Sequence, residues 1–469
     1  MTKHPDTTTV DSTVTHPDHL ALLKDLKAVL AGQFARREAR NTFWDLVTGL
    51  LMGLPSANCW TIGEAVGHKA PHRLQHLLSR AVWDADAVLA TVARWIGDRL
   101  PGPAILAVDE TGDAKSSTDA VGAARQYSGA LGGVGLCQVA VHLTLATPAG
   151  HAVIGRRLYL GADWAGDDER RTLTGVPDEL EFATKPHLAI ALIRDAVTAG
   201  VRADYVTGDE VYGSVAFRTA CRSMGLAYVL AVPATRQHAT PDRKRRTCTD
   251  LVPLVPAAAW ARMRTGSATK GAKDYDWAVL AVEPDDTPTT DHTSNDTSND
   301  TSARVRGTAT DRPAGHSVLL MRRHRYTRKI SFFRAWTPTP VSLADLVAVV
   351  CARWHIEEDF QLGKRTVGLD QGQVRTWTSW HRWSAAALTA YAFLVAGAML
   401  EHHASNGNTD PELVPVSCPE LQHLLTATVL PTPRRDPDHI RRWSLWRRHH
   451  QAVARQCHRA WNAYADRVA

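Results

Sequence analysis

The stretch Arg353-Trp-His-Ile-Glu357-Glu-Asp-Phe-Gln-Leu-Gly-Lys364 sets three charged groups of chosen kinds at helical spacing. At about 100° per residue, Arg353, Glu357 and Lys364 project within roughly 40° of one another, so a carboxylate lies between two cations on one stripe. Upstream, two short apolar runs each end in an aspartate, Ile105-Leu-Ala-Val-Asp109 and Tyr205-Val-Thr-Gly-Asp209. This pattern is expected to bring acids to the carboxyl ends of buried strands. Two strand-end aspartates and a helical glutamate flanked by basic groups suit divalent metal ions acting on a phosphodiester.

Taken singly, each acid has a plainer explanation. Asp109 and Asp209 can end strands and cap the following turns. Glu357 with Arg353 four residues earlier can be a surface ion pair contributing a few tenths of a kcal/mol. The conjunction favours the metal reading. Among the acidic neighbours Glu110, Asp113, Glu210, Glu358 and Asp359, residue Glu358 lies about 100° around the helix from the Arg353/Lys364 stripe, so Glu357 is preferred.

The elements that must position these groups follow from periodicity. Residues 1–18 are rich in Thr, Asp and Pro and are expected to be disordered. Residues 19–100 carry a helical pattern, with Leu20, Leu23, Leu26 and Leu30 in phase and Thr61-Ile-Gly-Glu64 reading as a capping box. This all-helical region contains a segment, Thr61 to Ser79, that suits either a helix-turn-helix DNA reader or an ordinary packed pair. From residue 101 the period becomes two. A hairpin turning at Pro148-Ala-Gly150, a helix from Thr184 to Gly200, a strand ending at Asp209, a short helix and a strand Ala227–Val232 describe a mixed α/β sheet over 101–232.

Residues 233–340 read as a β-rich insertion with strand-like runs at Trp277–Val282, Ser317–Met321 and Lys329–Trp336. Its tandem Thr-Ser-Asn-Asp repeat predicts a disordered loop over about 284–312. Ser342-Leu-Ala-Asp345 is a capping box opening one long helix that carries Arg353, Glu357 and Lys364 and ends near Gly368, with more helix to 405. In the basic C-terminal region, 406–469, eight Arg and four His between Arg434 and Arg459 face two Asp, with Trp443 and Trp446 among them. Such interleaving suits phosphate contacts with stacking, or equally a solvated helix whose tryptophans pack inward.

Bulk properties set the frame. At 469 residues, 44% hydrophobic and 22% charged, the chain is ordinary globular material with room for two or three domains. A formal charge of +6 suits a polyanionic partner. Seven scattered cysteines without a C-x-x-C pair suggest neither a disulfide framework nor a zinc ribbon, and fit a reducing cytoplasm. The N-terminus has no signal-peptide core, and the longest apolar run, Ala385 to Leu400, falls short of the ~20 residues a membrane span needs, so a buried helix and no membrane partner are expected.

An ordered series of segments resembles insertion-sequence transposases with a ribonuclease-H-like core and a DDE acidic triad. It comprises Val108-Asp-Glu-Thr-Gly112, Ala124-Arg-Gln-Tyr-Ser-Gly129, Cys137-Gln138, Leu158-Tyr-Leu160 with Trp164 and Asp167, Thr184-Lys-Pro186, Asp209-Glu-Val-Tyr-Gly213, and Arg353 to Lys364 followed by Gly368-Leu-Asp370. The family signature Tyr-x2-Arg-x3-Glu-x6-Lys falls with its Arg, Glu and Lys on Arg353, Glu357 and Lys364, while its Tyr position is Val350. The resemblance implies Asp109, Asp209 and Glu357 as catalytic metal ligands and two Mg²⁺ (or Mn²⁺) ions as cofactors. It further implies DNA contacts from Arg353 and Lys364, and with them Lys115 and Arg125. Double-stranded DNA at transposon ends and target, and a homodimer on paired ends near the nucleoid, are the implied partners and setting. Two other readings compete: an inactive or domesticated DNA-binding descendant, and a metal-free hydrolase using two carboxylates. The cations flanking Glu357 disfavour the latter, because they lower a carboxylate pKa and spoil a general acid.

Overall fold

In a computed structural model, residues 16–268, 271–285, 315–405 and 414–468 are described. The expected disorder of 1–18 lies outside these residues except for its last three, which begin helix α1. The expected loop at about 284–312 lies almost wholly outside them.

Five helices come first: α1 (His16–Val29), α2 (Arg37–Leu51), α3 (Cys59–Ala65), α4 (His72–Ser79) and α5 (Ala85–Gly97). The cap of α3 sits three residues before the expected Thr61. Asn58 accepts from the Trp60 and Thr61 amides, and Thr61 closes the box from the helix side. A hairpin-rich stretch follows: β1 (Ile105–Ala114), β2 (Ala124–Ser128), β3 (Gly133–Thr147) and β4 (Gly150–Leu158). Next come α6 (Ala162–Ala165), α7 (Asp168–Thr174), α8 (Lys185–Thr198), β5 (Tyr205–Gly208), α9 (Val215–Ser223) and β6 (Ala227–Val232). The chain continues through β7 (Gln237–Ala239), β8 (Arg245–Thr247), α10 (Cys248–Leu251), β9 (Ala261–Ala268), β10 (Gly271–Ala281), β11 (His316–His324) and β12 (Ile330–Thr337). It closes with α11 (Leu343–Ala352), α12 (Trp354–Val367), α13 (Trp377–Ser405), α14 (Cys418–Thr428) and α15 (Pro437–Val468).

Among the described residues, ten strands form one mixed sheet. β1 is an interior strand, antiparallel to β3 and parallel to β5, with β6 parallel to β5. On the other edge of β3, β2 and β4 both pair antiparallel. Three antiparallel strands (β4, β3, β1) running into two parallel ones (β5, β6) make the ribonuclease-H-like arrangement. Most of the insertion joins this sheet: β12 pairs antiparallel with β6, and β11, β10 and β9 extend it outward, while β7 and β8 pair only with each other in a small two-stranded sheet. Such pairing is non-local, which is why the period-two runs alone did not reveal it.

Helix α13 is the spine of the core. It is long and apolar enough to cross a membrane by length and composition, yet its apolar stretch is almost wholly buried inside the protein. Packed around it are α1, α2, α4, α5, α12, α14 and β4. Residues from Leu22 to Leu430, including the N-terminal helices, β1, β3, β4 and α13, share one hydrophobic cluster. The helices before β1 therefore have no core apart from the sheet. All seven cysteines are free thiols.

Candidate active site

β1 alternates, and the alternation sorts its acids. Residues two apart point to one face of a sheet, so Asp109, Thr111 and Asp113 share a face while Glu110 points to the other. The face bearing Asp109 is covered by α12, where Ile356 and Phe360 pack on Ala107. Along this contact Arg353 Nη1 donates to Asp109 Oδ2 at 2.8 Å, and eleven residues further on, Lys364 Nζ donates to Thr111 Oγ1 at 2.9 Å and lies 2.8 Å from Asp113 Oδ1. The helix thus runs in step with the strand.

Asp109 is not at a strand end. β1 continues five residues beyond it, held by β3 through the pair Asp109↔His142. What stops at Val108 is the parallel pairing with β5, in the register Val108↔Gly208. Asp209 follows Gly208 directly, so the two aspartates emerge from neighbouring strands at the same level. Gly208 is required there: a Cβ would lie 2.8 Å from Val108 Cγ2 and 3.1 Å from Tyr212 Cβ. Asp209 caps the next turn by accepting from the Val211 amide at 2.9 Å.

Glu357 completes the group from α12. The expected long helix breaks at Arg353, which stands between α11 and α12, and ends as anticipated at Gly368 in left-handed conformation (φ 58°). The Ser342/Asp345 capping box forms at the start of α11. Arg353 Nη1 lies 3.9 Å from Glu357 Oε1 while also bonding Asp109, so one guanidinium bridges two of the acids. Burial pushes the Asp109 carboxyl up to about 7; Arg353 pulls the other way, and the charges of Asp209 and Glu357 add to the rise. Asp209 is also raised, first by burial, with Glu110 adding to it. Asp109 therefore senses both other carboxylates across a partly dry site.

The competing acids are accounted for elsewhere. Glu110 accepts from Lys185 Nζ at 2.7 Å and from the buried Tyr212 hydroxyl at 2.6 Å. Asp113 faces Lys364, Asp359 is fully buried in a hydrogen-bond network, and Glu358 meets His151 and His355. Glu210 is exposed on the turn after Asp209. Sequence reasoning had no signal for the role of Lys185 and Tyr212 as partners of Glu110, since both lie far from it in the chain.

The basic residues divide. Arg353 stands at the triad. Lys364 is turned onto β1 and also bonds the Gly112 carbonyl at 3.3 Å, and Lys115 reaches the Gly372 carbonyl at 3.4 Å, so neither ammonium stands free in solvent. Arg125 is exposed on β2. Val350, at the Tyr position of the signature, is buried among Val229, Leu346 and Phe333 and fills core space. In the C-terminal helix, Trp443 is buried with its Nε1–H on the His68 carbonyl at 2.8 Å, and Trp446 packs edge-on to Trp60. These tryptophans anchor α15 on the α3–α4 pair, so the inward-packing reading of that helix holds for both rings.

A donor set of three carboxylates with a single bridging guanidinium fits hard divalent cations, which take oxygen ligands and relieve the crowding of negative charge. Comparison with known proteins agrees in kind. The family model described as DDE superfamily endonuclease matches residues 29–281, and that of the transposase DDE domain matches 183–393. A probable transposase for insertion sequence element IS701 from Microchaete diplosiphon is 28% identical over 195 residues, covering 40% of this chain and 47% of that protein. The match thus spans about half the length of that relative. A cryo-EM structure of the piggyBac transposase synaptic complex with hairpin DNA aligns at a TM-score of 0.39 and 11% identity over 89% of this chain and 78% of that one. With one family model spanning more than half its length, from α1 to the end of β10, this chain belongs to the DDE superfamily endonucleases.

Proposed function

We propose that this protein is a DNA transposase that cuts at the ends of an insertion sequence and joins them to target DNA, with Asp109, Asp209 and Glu357 as ligands of two Mg²⁺ or Mn²⁺ ions. The observation that carries the reading is the convergence of Asp109 on β1, Asp209 directly after β5 and Glu357 on α12, with Arg353 bridging Asp109 and Glu357. Bound there, the ions would supply Lewis acidity and charge neutralisation at the attacking and leaving oxygens of an in-line displacement.

The chain's own residues have defined parts. Arg353 ties Asp109 and Glu357 together, and its planar fork can pass to a DNA phosphate once cations take over the carboxylates. Asp109 is held by the Glu110 amide at 2.9 Å as well as by Arg353, which fixes its orientation. In the first reaction water forms a P–O bond and a 3′-oxygen leaves with its electron pair, taking a proton. In the second, that 3′-hydroxyl attacks a target phosphodiester, and one P–O bond forms as another breaks, so no ATP is needed. Lys364 and Lys115 support β1 and the 370–372 turn in this reading. Arg125 and the exposed arginines of α15, such as Arg441 and Arg442, are the proposed contacts to double-stranded DNA. A homodimer would bring two ends together, and the cytoplasmic nucleoid is the proposed setting.

The test is incubation of the purified chain with DNA carrying the ends of its own element. Strand breaks that map to those ends, require Mg²⁺ and stop with EDTA are expected. DNA binding without any cleavage under these conditions would instead favour the inactive-descendant reading.

A further inference from the structure

α12 crosses β1, β3 and β4, and its two edges carry different chemistry. Glu357 lies over β1. One residue on, Glu358 lies over the start of β4, where it meets His151 and His355. His355 Nδ1 is 2.9 Å and His151 Nε2 is 3.4 Å from the same oxygen, Glu358 Oε2, and the two imidazoles stack at 4.4 Å with planes 18° apart. One ligand atom from each of the three residues can be chosen so that all lie within 4.8 Å of one another.

The tautomer of His151 makes this cluster unusual. Its Nδ1 is 2.7 Å from Asp359 Oδ1, and that carboxylate, fully buried, also accepts from the Tyr391 hydroxyl at 2.6 Å and the Thr144 hydroxyl at 2.7 Å. An ionised carboxylate only accepts, so Nδ1 of His151 carries the proton. In the neutral ring its Nε2 is then a lone pair facing a carboxylate oxygen, and in the imidazolium, which Asp359 and Glu358 favour against burial, a second proton sits there. Two acceptors opposed in this way require a cation between them, either a proton or a metal ion. A buried carboxylate on one ring nitrogen, with the other directed at a ligand cluster, is the arrangement that fixes metal-binding histidines.

We propose that His151, His355 and Glu358 bind a transition-metal dication of the zinc class, separate from the Asp109/Asp209/Glu357 group, with Asp359 as the positioning residue for His151. Two imidazole nitrogens and one carboxylate oxygen prefer such ions to Mg²⁺. Tetrahedral Zn²⁺ with bonds near 2 Å sets its ligand atoms about 3.3 Å apart, so the cluster needs only a modest closure. His355 and Glu358, with side chains 39% and 44% exposed, can supply it by rotation while His151 stays fixed. Water would take the fourth position. An ion held here ties β4 to α12 and so steadies the helix that presents Glu357.

The experiment is titration of the full chain with Zn²⁺, and with Co²⁺ followed by its visible absorption, in excess Mg²⁺. The Asp109→Asn/Glu357→Gln double variant is expected to keep one equivalent of tightly bound transition ion and the Co²⁺ bands. His355→Ala, at a partly exposed position where folding is not at risk, is expected to lose both, together with the rise in melting temperature that Zn²⁺ gives the unaltered chain. Asp359→Asn should weaken binding by about 10- to 100-fold. No transition ion bound by the double variant would overturn the proposal and leave the proton as the occupant, and retention of the ion by His355→Ala would overturn it by placing the ion elsewhere. Neither outcome bears on cleavage at the other site.

Discussion

Two charged clusters lie on the same face of β1, and they are balanced differently. Around Asp113, two carboxylates (Asp113, Asp370) meet two ammonium groups (Lys364, Lys115), with Lys364 2.8 Å from Asp113. Around Asp109, three carboxylates meet one guanidinium. The first cluster is self-sufficient and fastens α12 to the strand. The second is short of positive charge, and burial of Asp109 makes the shortage costly. Evenly matched charges hold a fold together, whereas a surplus of one sign at the meeting point of three elements invites an external ion.

The sharpest way to break this contrast is to remove acids from the unbalanced cluster. Asp109→Asn and Glu357→Gln should each lower DNA cleavage by at least about a thousand-fold, because several kcal/mol of metal-derived stabilisation is lost. DNA affinity by gel shift should be nearly unchanged. Cleavage at the ordinary rate by either variant would end the metal reading of that cluster.

Removing a cation from the balanced cluster should act on stability instead. Lys364→Met leaves Asp113 without its ammonium and is expected to cost about 1–2 kcal/mol in urea unfolding, kept modest by partial exposure. The salt dependence of DNA binding should keep its slope. A slope reduced by about 1 would make Lys364 a phosphate contact rather than a fastening.

A smaller effect concerns pH. The Asp109 carboxyl is raised to about 7 in the fold, so the folded chain holds a proton that the unfolded chain releases. The stability this gives is fully present below the unfolded value of about 3.9 and is lost as pH rises through about 7. Without metal, the melting temperature should fall between about pH 5 and about pH 8 by more in the unaltered chain than in Asp109→Asn. Equal slopes in differential scanning fluorimetry would remove Asp109 as the titrating group.

Much of this arrangement was legible in the residues. The β3–β4 hairpin, α8 with its stop at Gly200, and β5 running into Asp209 all follow from local period and turn chemistry. Helical phase separates Glu357 from Glu358, and in the fold the first faces Arg353 and the second His151 and His355. Less was legible where partners are distant. Asp109 looked like a strand end because the apolar run stops at Val108, yet β1 continues to Ala114 with β3 as its partner. Strands β9 to β12 of the insertion joined the central sheet through β12 and β6, a pairing that no local pattern encodes. The same holds for His151 and Asp359, 208 residues apart, which meet only because α12 crosses β4. Lys364 shared the predicted stripe with Arg353 but is spent on Thr111 and Asp113, which alternation along β1 brings to the same face.

The most direct measurement is anomalous scattering from crystals soaked in Mn²⁺. The account predicts peaks bounded by the carboxylates of Asp109, Asp209 and Glu357, with Arg353 withdrawn from at least one of them. Absence of any peak there, with Arg353 still bridging Asp109 and Glu357, would contradict it.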